Sequence, residues 1–332
     1  MSIHVLRGGM LTAVQDLGRP GLQRYGVSVG GATDALSLRV ANLLVGNEPS
    51  AAALEITLLG PTLRFDHDTL IAIFGGDWTP LVEDDPVPCE RPVWLPAGTT
   101  MTFGSARSGC RGYLAVGGGI DVPVVMGSRS TYLLANLGGY KGRALQSGDA
   151  LPVLPPSPRS LKIAAILAAH ENRGPLASVP WRAGVSSQRP DGTLRAMRGA
   201  EFDLLSPDSQ KALFCEAFQV LPQSDRMGYR LAGPGLGTSE PAELISAAVC
   251  PGTIQLPPEG QPILLMADCA TVGGYPRIAH LASVDLSAAA QLRPGDFFRL
   301  DEISLAEAHN YYILQEADLQ CLRTSLRLKF AT

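Results

Sequence analysis

The sequence predicts a mainly β protein with a few helices, arranged as barrels or sandwiches rather than a doubly wound sheet. Short β-branched and apolar runs recur between Gly- and Pro-containing turns. Helical periodicity is confined to a few segments, which disfavours regular βαβ units. Each half of the chain closes on a Gly-Asp turn entering an apolar strand, Leu145-Gln146-Ser147-Gly148-Asp149-Ala150-Leu151 and Leu292-Arg293-Pro294-Gly295-Asp296-Phe297-Phe298. That pattern suits two related domains, and convergent turn chemistry explains it equally well.

In chain order, Asp34 is placed to cap a helix that carries Leu36, Val40, Leu43 and Leu44 on one face. Strands are expected at Leu70–Phe74, Thr99–Phe103 and Gly112–Val116, and Gly117-Gly118-Gly119 reads as a tight turn or bulge. Leu154-Pro155-Pro156-Ser157-Pro158 denies the chain both helix and ladder hydrogen bonds and is read as a linker. It divides the protein into domains at 1–154 and 155–332. Residues 171–197 are rich in Pro, Gly, Ser and Arg and are expected to form an extended loop or insertion. Further strands are expected at Thr253–Leu256, Pro262–Met266 and Ile278–Val284. Ser304-Leu305-Ala306-Glu307 is a capping box that opens a helix toward Gln320.

With 332 residues, 45% apolar and 17% charged, the chain is long enough for two cores. A net charge of −4 with scattered basic residues provides no field for nucleic acid. The longest apolar stretch, Ile163 to Ala169, is too short to span a bilayer, and Met1-Ser2-Ile3-His4 does not open a signal peptide. The six cysteines are widely spaced with no Cys-x-x-Cys pair, and the five histidines show no metal-ligand spacing. A reduced, cytoplasmic protein without a metal site is expected.

Two segments have the composition of a ligand site: Ser224-Asp225-Arg226-Met227-Gly228-Tyr229-Arg230-Leu231, and Asp268 followed by Thr271-Val272-Gly273-Gly274-Tyr275-Pro276-Arg277. Together with Gln15-Asp16-Leu17-Gly18-Arg19-Pro20-Gly21, Gly127-Ser128-Arg129-Ser130-Thr131 and Pro262-Ile263-Leu264-Leu265-Met266-Ala267-Asp268, they resemble one family over Ile3 to about Ala308. This is the biotin-dependent carboxyltransferase, allophanate hydrolase subunit 2 or KipI-antagonist group, whose bacterial members include the C subunit of 5-oxoprolinase. The resemblance implies tandem cyclophilin-like β-barrel domains.

Relatives occupy three settings. One is the carboxyltransferase half of urea carboxylase. Another is the C subunit of an ATP-dependent 5-oxoprolinase, which opens 5-oxo-L-proline to L-glutamate with subunits A and B. The third is a regulatory binder of a KipI-like kinase inhibitor. The absence of a biotin-carboxylase or biotinyl-carrier segment favours the oxoprolinase setting. With no Ala-Met-Lys-Met sequence and no Gly-x-x-x-x-Gly-Lys-Ser/Thr loop, ATP and covalent biotin are assigned to partners, and the chain alone is expected to be inactive.

Amide chemistry needs donors for charge developing on oxygen and groups that relay protons. Arg226, Asp268, Tyr275 and Asp225 are the candidate catalytic residues. Arg129, Ser130, Gly273, Gly274 and Gln255 are the candidates for binding substrate. The competing reading is that Asp225–Arg226 and Arg129–Ser130 fasten loops, as Asp16 and Arg19 are expected to do. Asp268-Cys269-Ala270-Thr271 departs from the family's Asp-Arg-Gln-Thr, and Thr33 stands where Met is usual. Gly26-Val27-Ser28-Val29-Gly30 fits the Gly-x-Ser-x-Gly of serine hydrolases, a short motif with no support from the resemblance.

Overall fold

The computed structural model describes residues 1–169, 174–185, 192–239 and 244–330. Two compact units emerge: one of Met1–Arg19, Asp34–Ser186 and Asp318–Thr332, the other of Pro20–Thr33 and Ser187–Ala317. This partition is not the division at 154/155. The proline-rich segment lies inside the first unit, while residues 20–33 belong to the second.

In the first unit, two six-stranded sheets share one core. Ile3, Val5, Leu63 and Phe65 come from one sheet, and Leu54, Ile56, Ile71 and Leu114 from the other. Alternation along Ser108–Val116 sends Leu114 and Val116 into that core and leaves Arg111 and Tyr113 on the opposite face. The Ala35–Leu44 helix packs over that strand and over Thr69–Asp77. Asp34 caps it by accepting from the Ser37 amide, and Leu36, Val40, Leu43 and Leu44 are buried as expected. At Gly118, with φ +97°, a Cβ would stand 2.1 Å from the Leu154 carbonyl oxygen, so the glycine run is a tight turn.

The prolines at 155–158 lead directly into a helix at Pro158–Ala168 that the linker reading did not anticipate. Ser157 caps it and Pro158 occupies its first turn, where a missing N–H costs nothing. Ser160, Ile163 and Leu167 form its buried stripe.

The second unit holds a closed seven-stranded barrel. Its order is Thr193–Arg198, Arg277–Leu281, Thr253–Gln255, Ile263–Leu265, Gly228–Ala232, Ala217–Val220 and Phe297–Glu302. The parallel pairing of Thr193–Arg198 with Phe297–Glu302 closes it. Residues expected to end a loose insertion therefore supply a barrel strand. Earlier in the same segment, Ala177–Ser178 pairs with Pro92–Leu95 in the first unit. The rest of the expected insertion lies partly outside the described residues.

The last helix runs from Leu305 to Lys329, well past Gln320. The capping box is reciprocal: Glu307 Oε2 accepts from the Ser304 amide at 2.7 Å, and Ser304 Oγ accepts from the Glu307 amide at 3.2 Å. Its residues from Asp318 onward belong to the first unit, where Leu319 and Leu326 are buried and Phe330 packs on Trp181. Among the described residues no helix is long and apolar enough to cross a membrane, and no His/Cys/Asp/Glu group could hold a metal ion. All six cysteines are free.

Candidate functional site

The barrel brings Arg226 and Asp268 together, although they lie far apart in sequence. Gly228–Ala232 pairs with Ile263–Leu265, and backbone bonds extend that ladder outward: Met266 N to Met227 O, then Asp268 N to Arg226 O at 2.8 Å. The side chains meet in a buried bidentate ion pair, Nε to Oδ2 at 2.8 Å and Nη2 to Oδ1 at 3.1 Å. Arg226 is 6% exposed and Asp268 3%. Such a pair is stable only when its remaining polar capacity is also met.

That capacity is met by residues the sequence reading did not connect to Arg226. Nη1 donates to Thr33 Oγ1 at 2.8 Å and Nη2 to the Gly31 carbonyl at 2.5 Å. Gly30 N donates to Ala267 O, and Ser28 Oγ to Cys269 O at 2.7 Å. Segment 28–33 is thereby stitched to the loop that carries Asp268. Gly31, at φ +84°, supplies the left-handed turn within it. The one sequence signal for this connection was Thr33 in place of Met. Ser28 is 4% exposed and directed at a backbone carbonyl, so it is no hydrolase nucleophile.

Asp225 is exposed and uses Oδ1 to accept from the amides of Met227 and Gly228, at 2.7 and 3.3 Å. It organises the turn on which Arg226 sits. Gln255 is buried, and its Nε2 donates to the Tyr275 carbonyl at 3.3 Å. A side chain at Gly273 would meet that amide, with a Cβ 2.5 Å from Nε2. Gly274 has ordinary space around it, and Tyr275 turns its ring to solvent, 45% exposed. The second unit therefore holds the clamp of Arg226 and Asp268, and the contiguous group of Gln255, Gly273 and Tyr275.

Arg129 and Ser130 lie in the first unit on a different network. Asp16 is its centre: its carboxylate accepts from Ser128 Oγ at 2.6 Å, the Arg129 amide at 2.6 Å, Ser130 Oγ and the Gly18 amide. Arg19 Nη2 donates to the Ser130 carbonyl at 2.6 Å, and Arg129 Nε to the Val122 carbonyl at 3.0 Å. Ser130 is fully buried, while the Arg129 side chain is 32% exposed. Of these two, Arg129 is the group placed to reach a ligand.

Burial pushes the Cys269 thiol up to about 12, with Cys250 and Asp268 adding to the effect, so the sulfur beside Asp268 stays protonated at neutral pH. A separate cavity of about 650 Å³, bordered by Val82, Glu83, Pro96, Thr99 and Thr102, contains none of these residues.

The carboxyltransferase domain family, subdomains A and B, matches residues 25–302. The chain is 39% identical to the 5-oxoprolinase C subunit of Escherichia coli K12 over 92% of its own length and 93% of that protein. It is 34% identical to the urea amidolyase of Lachancea kluyveri over 97% of this chain and only 18% of that protein. Among solved structures, Kluyveromyces lactis urea carboxylase superposes with a TM-score of 0.85 at 30% identity, covering 97% of this chain and 29% of that one. On these similarities the chain belongs to the carboxyltransferase domain family that includes the C subunit of 5-oxoprolinase.

Proposed function

We propose that this protein is the C subunit of an ATP-dependent 5-oxoprolinase, converting 5-oxo-L-proline to L-glutamate with A and B subunits in the cytoplasm. The observation that carries this reading is similarity along nearly the whole length of a protein bearing that name. ATP, bound by a partner subunit, supplies the driving force for opening the lactam, and this chain alone is inactive.

In this reading Arg226 is a positioning residue. Its three nitrogens serve Asp268, Thr33 and Gly31, and they hold the Asp268 carboxylate in one orientation. Each Asp268 oxygen takes one bond from Arg226 and retains capacity for a second donor, such as a lactam N–H. Tyr275 presents a phenol to solvent and exchanges a proton with bound substrate or partner. Arg129, in the first unit, is a separate candidate for holding an anionic group.

The urea amidolyase and urea carboxylase similarities support a second reading, a carboxyltransferase component acting on an amide with biotin carried by another segment or subunit. A third setting, regulatory binding of a KipI-like protein, uses the same surface without chemistry.

The deciding experiment measures glutamate release from 5-oxoproline and ATP consumption, with this chain reconstituted with A-like and B-like subunits and each omitted in turn. Activity that requires all three is expected. A stable complex that turns over urea or another amide, and not 5-oxoproline, selects the second reading. If Tyr275→Phe leaves the complex intact and lowers turnover, the binding-only reading fails.

A further inference from the structure

Arg159, Arg323 and Arg327 gather in the first unit beside the turn that follows the Ala35–Leu44 helix. Arg159 lies in the first turn of the Pro158–Ala168 helix and packs its stem on that turn, its Cγ standing 3.1 Å from a Cβ built at Gly46. Glu48, in the same turn, takes Arg323 Nη2 at 3.4 Å on each carboxylate oxygen. Arg323 and Arg327 are one helical turn apart on the last helix and share a face.

Arg323 pairs with the Glu48 carboxylate, while Arg159 feels the charges of Arg323, Arg327 and Glu48; the four groups together carry a net charge of +2, and the Glu48 side chain is 75% exposed. Burial, then Arg327 and Arg323, draws Arg159 below the usual guanidinium value, with Glu48 opposing. A guanidinium still does not lose its proton near neutrality, so the positive excess stands. Moreover, Arg159 Nε and Nη2 and Arg323 Nε are shielded from solvent and find no acceptor among the described residues. Leaving such a donor unsatisfied is costly, the more so when it is charged. The surrounding hydroxyls do not supply the missing acceptors: Ser157 Oγ caps Ser160, and Ser160 Oγ donates to the Val45 carbonyl at 2.6 Å.

We propose that Arg159, Arg323 and Arg327 form a binding site for a small dianionic oxyanion of the phosphate or phosphomonoester class, bridging the Pro158–Ala168 helix and the last turns of the C-terminal helix. A dianion matches the excess charge, and the guanidinium fork matches two oxygens of a tetrahedral oxyanion. The site uses none of the residues assigned to the proposed reaction. Arg323 and Arg327 lie beyond the matched carboxyltransferase domain.

The test is calorimetric titration of the full chain with inorganic phosphate, with melting temperatures compared in phosphate and in NaCl at equal ionic strength. Saturable binding is expected, with a melting temperature higher in phosphate by about 2 °C. Arg159→Gln and Arg323→Gln each weaken binding about tenfold or more, since each removes charge-assisted bonds. Glu48→Gln, which removes the competing carboxylate, tightens it. Arg327→Gln, altering an exposed side chain, provides the same reading should a more buried variant fail to fold. Tighter binding of glycerol 3-phosphate than of phosphate assigns the site to esters, and the reverse assigns it to the free ion. Phosphate acting no differently from chloride, or binding unchanged in the arginine variants, overturns the proposal.

Discussion

Arg226 is more deeply committed to its own fold than a substrate-binding arginine would be. Its partners are a buried carboxylate, a hydroxyl and a carbonyl, so its removal acts on structure before chemistry. Asp268→Asn strips the guanidinium of its counter-charge inside the protein and is expected to destabilise the second unit by about 3–5 kcal/mol, read by urea unfolding. Ser28→Ala loses the hydrogen bond to the Cys269 carbonyl and is expected to cost about 1 kcal/mol while turnover of the reconstituted complex persists. Loss of turnover with the complex intact would reinstate Ser28 as a nucleophile. The Cys269 thiol, buried and raised to about 12, is expected to resist alkylation at pH 7.5 while exposed Cys215 and Cys321 react. Mass spectrometry after a timed iodoacetamide pulse checks the order.

At the scale of elements, local signals worked where the element's own chain satisfied its needs. Asp34 and Ser304–Glu307 announced two helix starts, because a cap is a contact between residues three apart. The Pro158 helix is not legible locally because three prolines read as breakers, whereas one stands at the helix's first position. Thr193–Arg198 was hidden in polar surroundings, since its strand state depends on two distant partners. Gly118→Ala tests the turn that precedes the proline segment. With left-handed φ and a carbonyl where a Cβ would go, the variant is expected to lose about 1–3 kcal/mol in chemical denaturation.

For the molecule as a whole, acid sensitivity follows from carboxylates that accept from arginines. Hydrogen bonds from Arg143 hold Asp149 below its ordinary 3.8, and those from Arg277 hold Glu201 below 4.5. Because the folded values are depressed, this stability is present above the unfolded values and is lost as pH falls through the folded ones. Denaturation midpoints are therefore expected to be flat from pH 7 to about 5 and to decline below about 4. Asp149→Asn and Glu201→Gln are expected to shrink that decline. A slope unchanged in the double variant would place the acid-sensitive groups elsewhere.

By itself the sequence determined the mainly β class, the family and both capped helix starts. These are carried by short-range chemistry: alternation, turn residues, caps, and motif spacing within a few residues. Only the tertiary structure decided that residues 20–33 leave the first unit for the second, where Thr33 and Gly31 receive Arg226. It alone joined Arg129 and Ser130 to Asp16, and brought Arg159 into the company of Arg323 and Arg327. The physical reason is that a buried charge takes its partners from whatever the fold places within hydrogen-bonding reach, at sequence separations that no local pattern records.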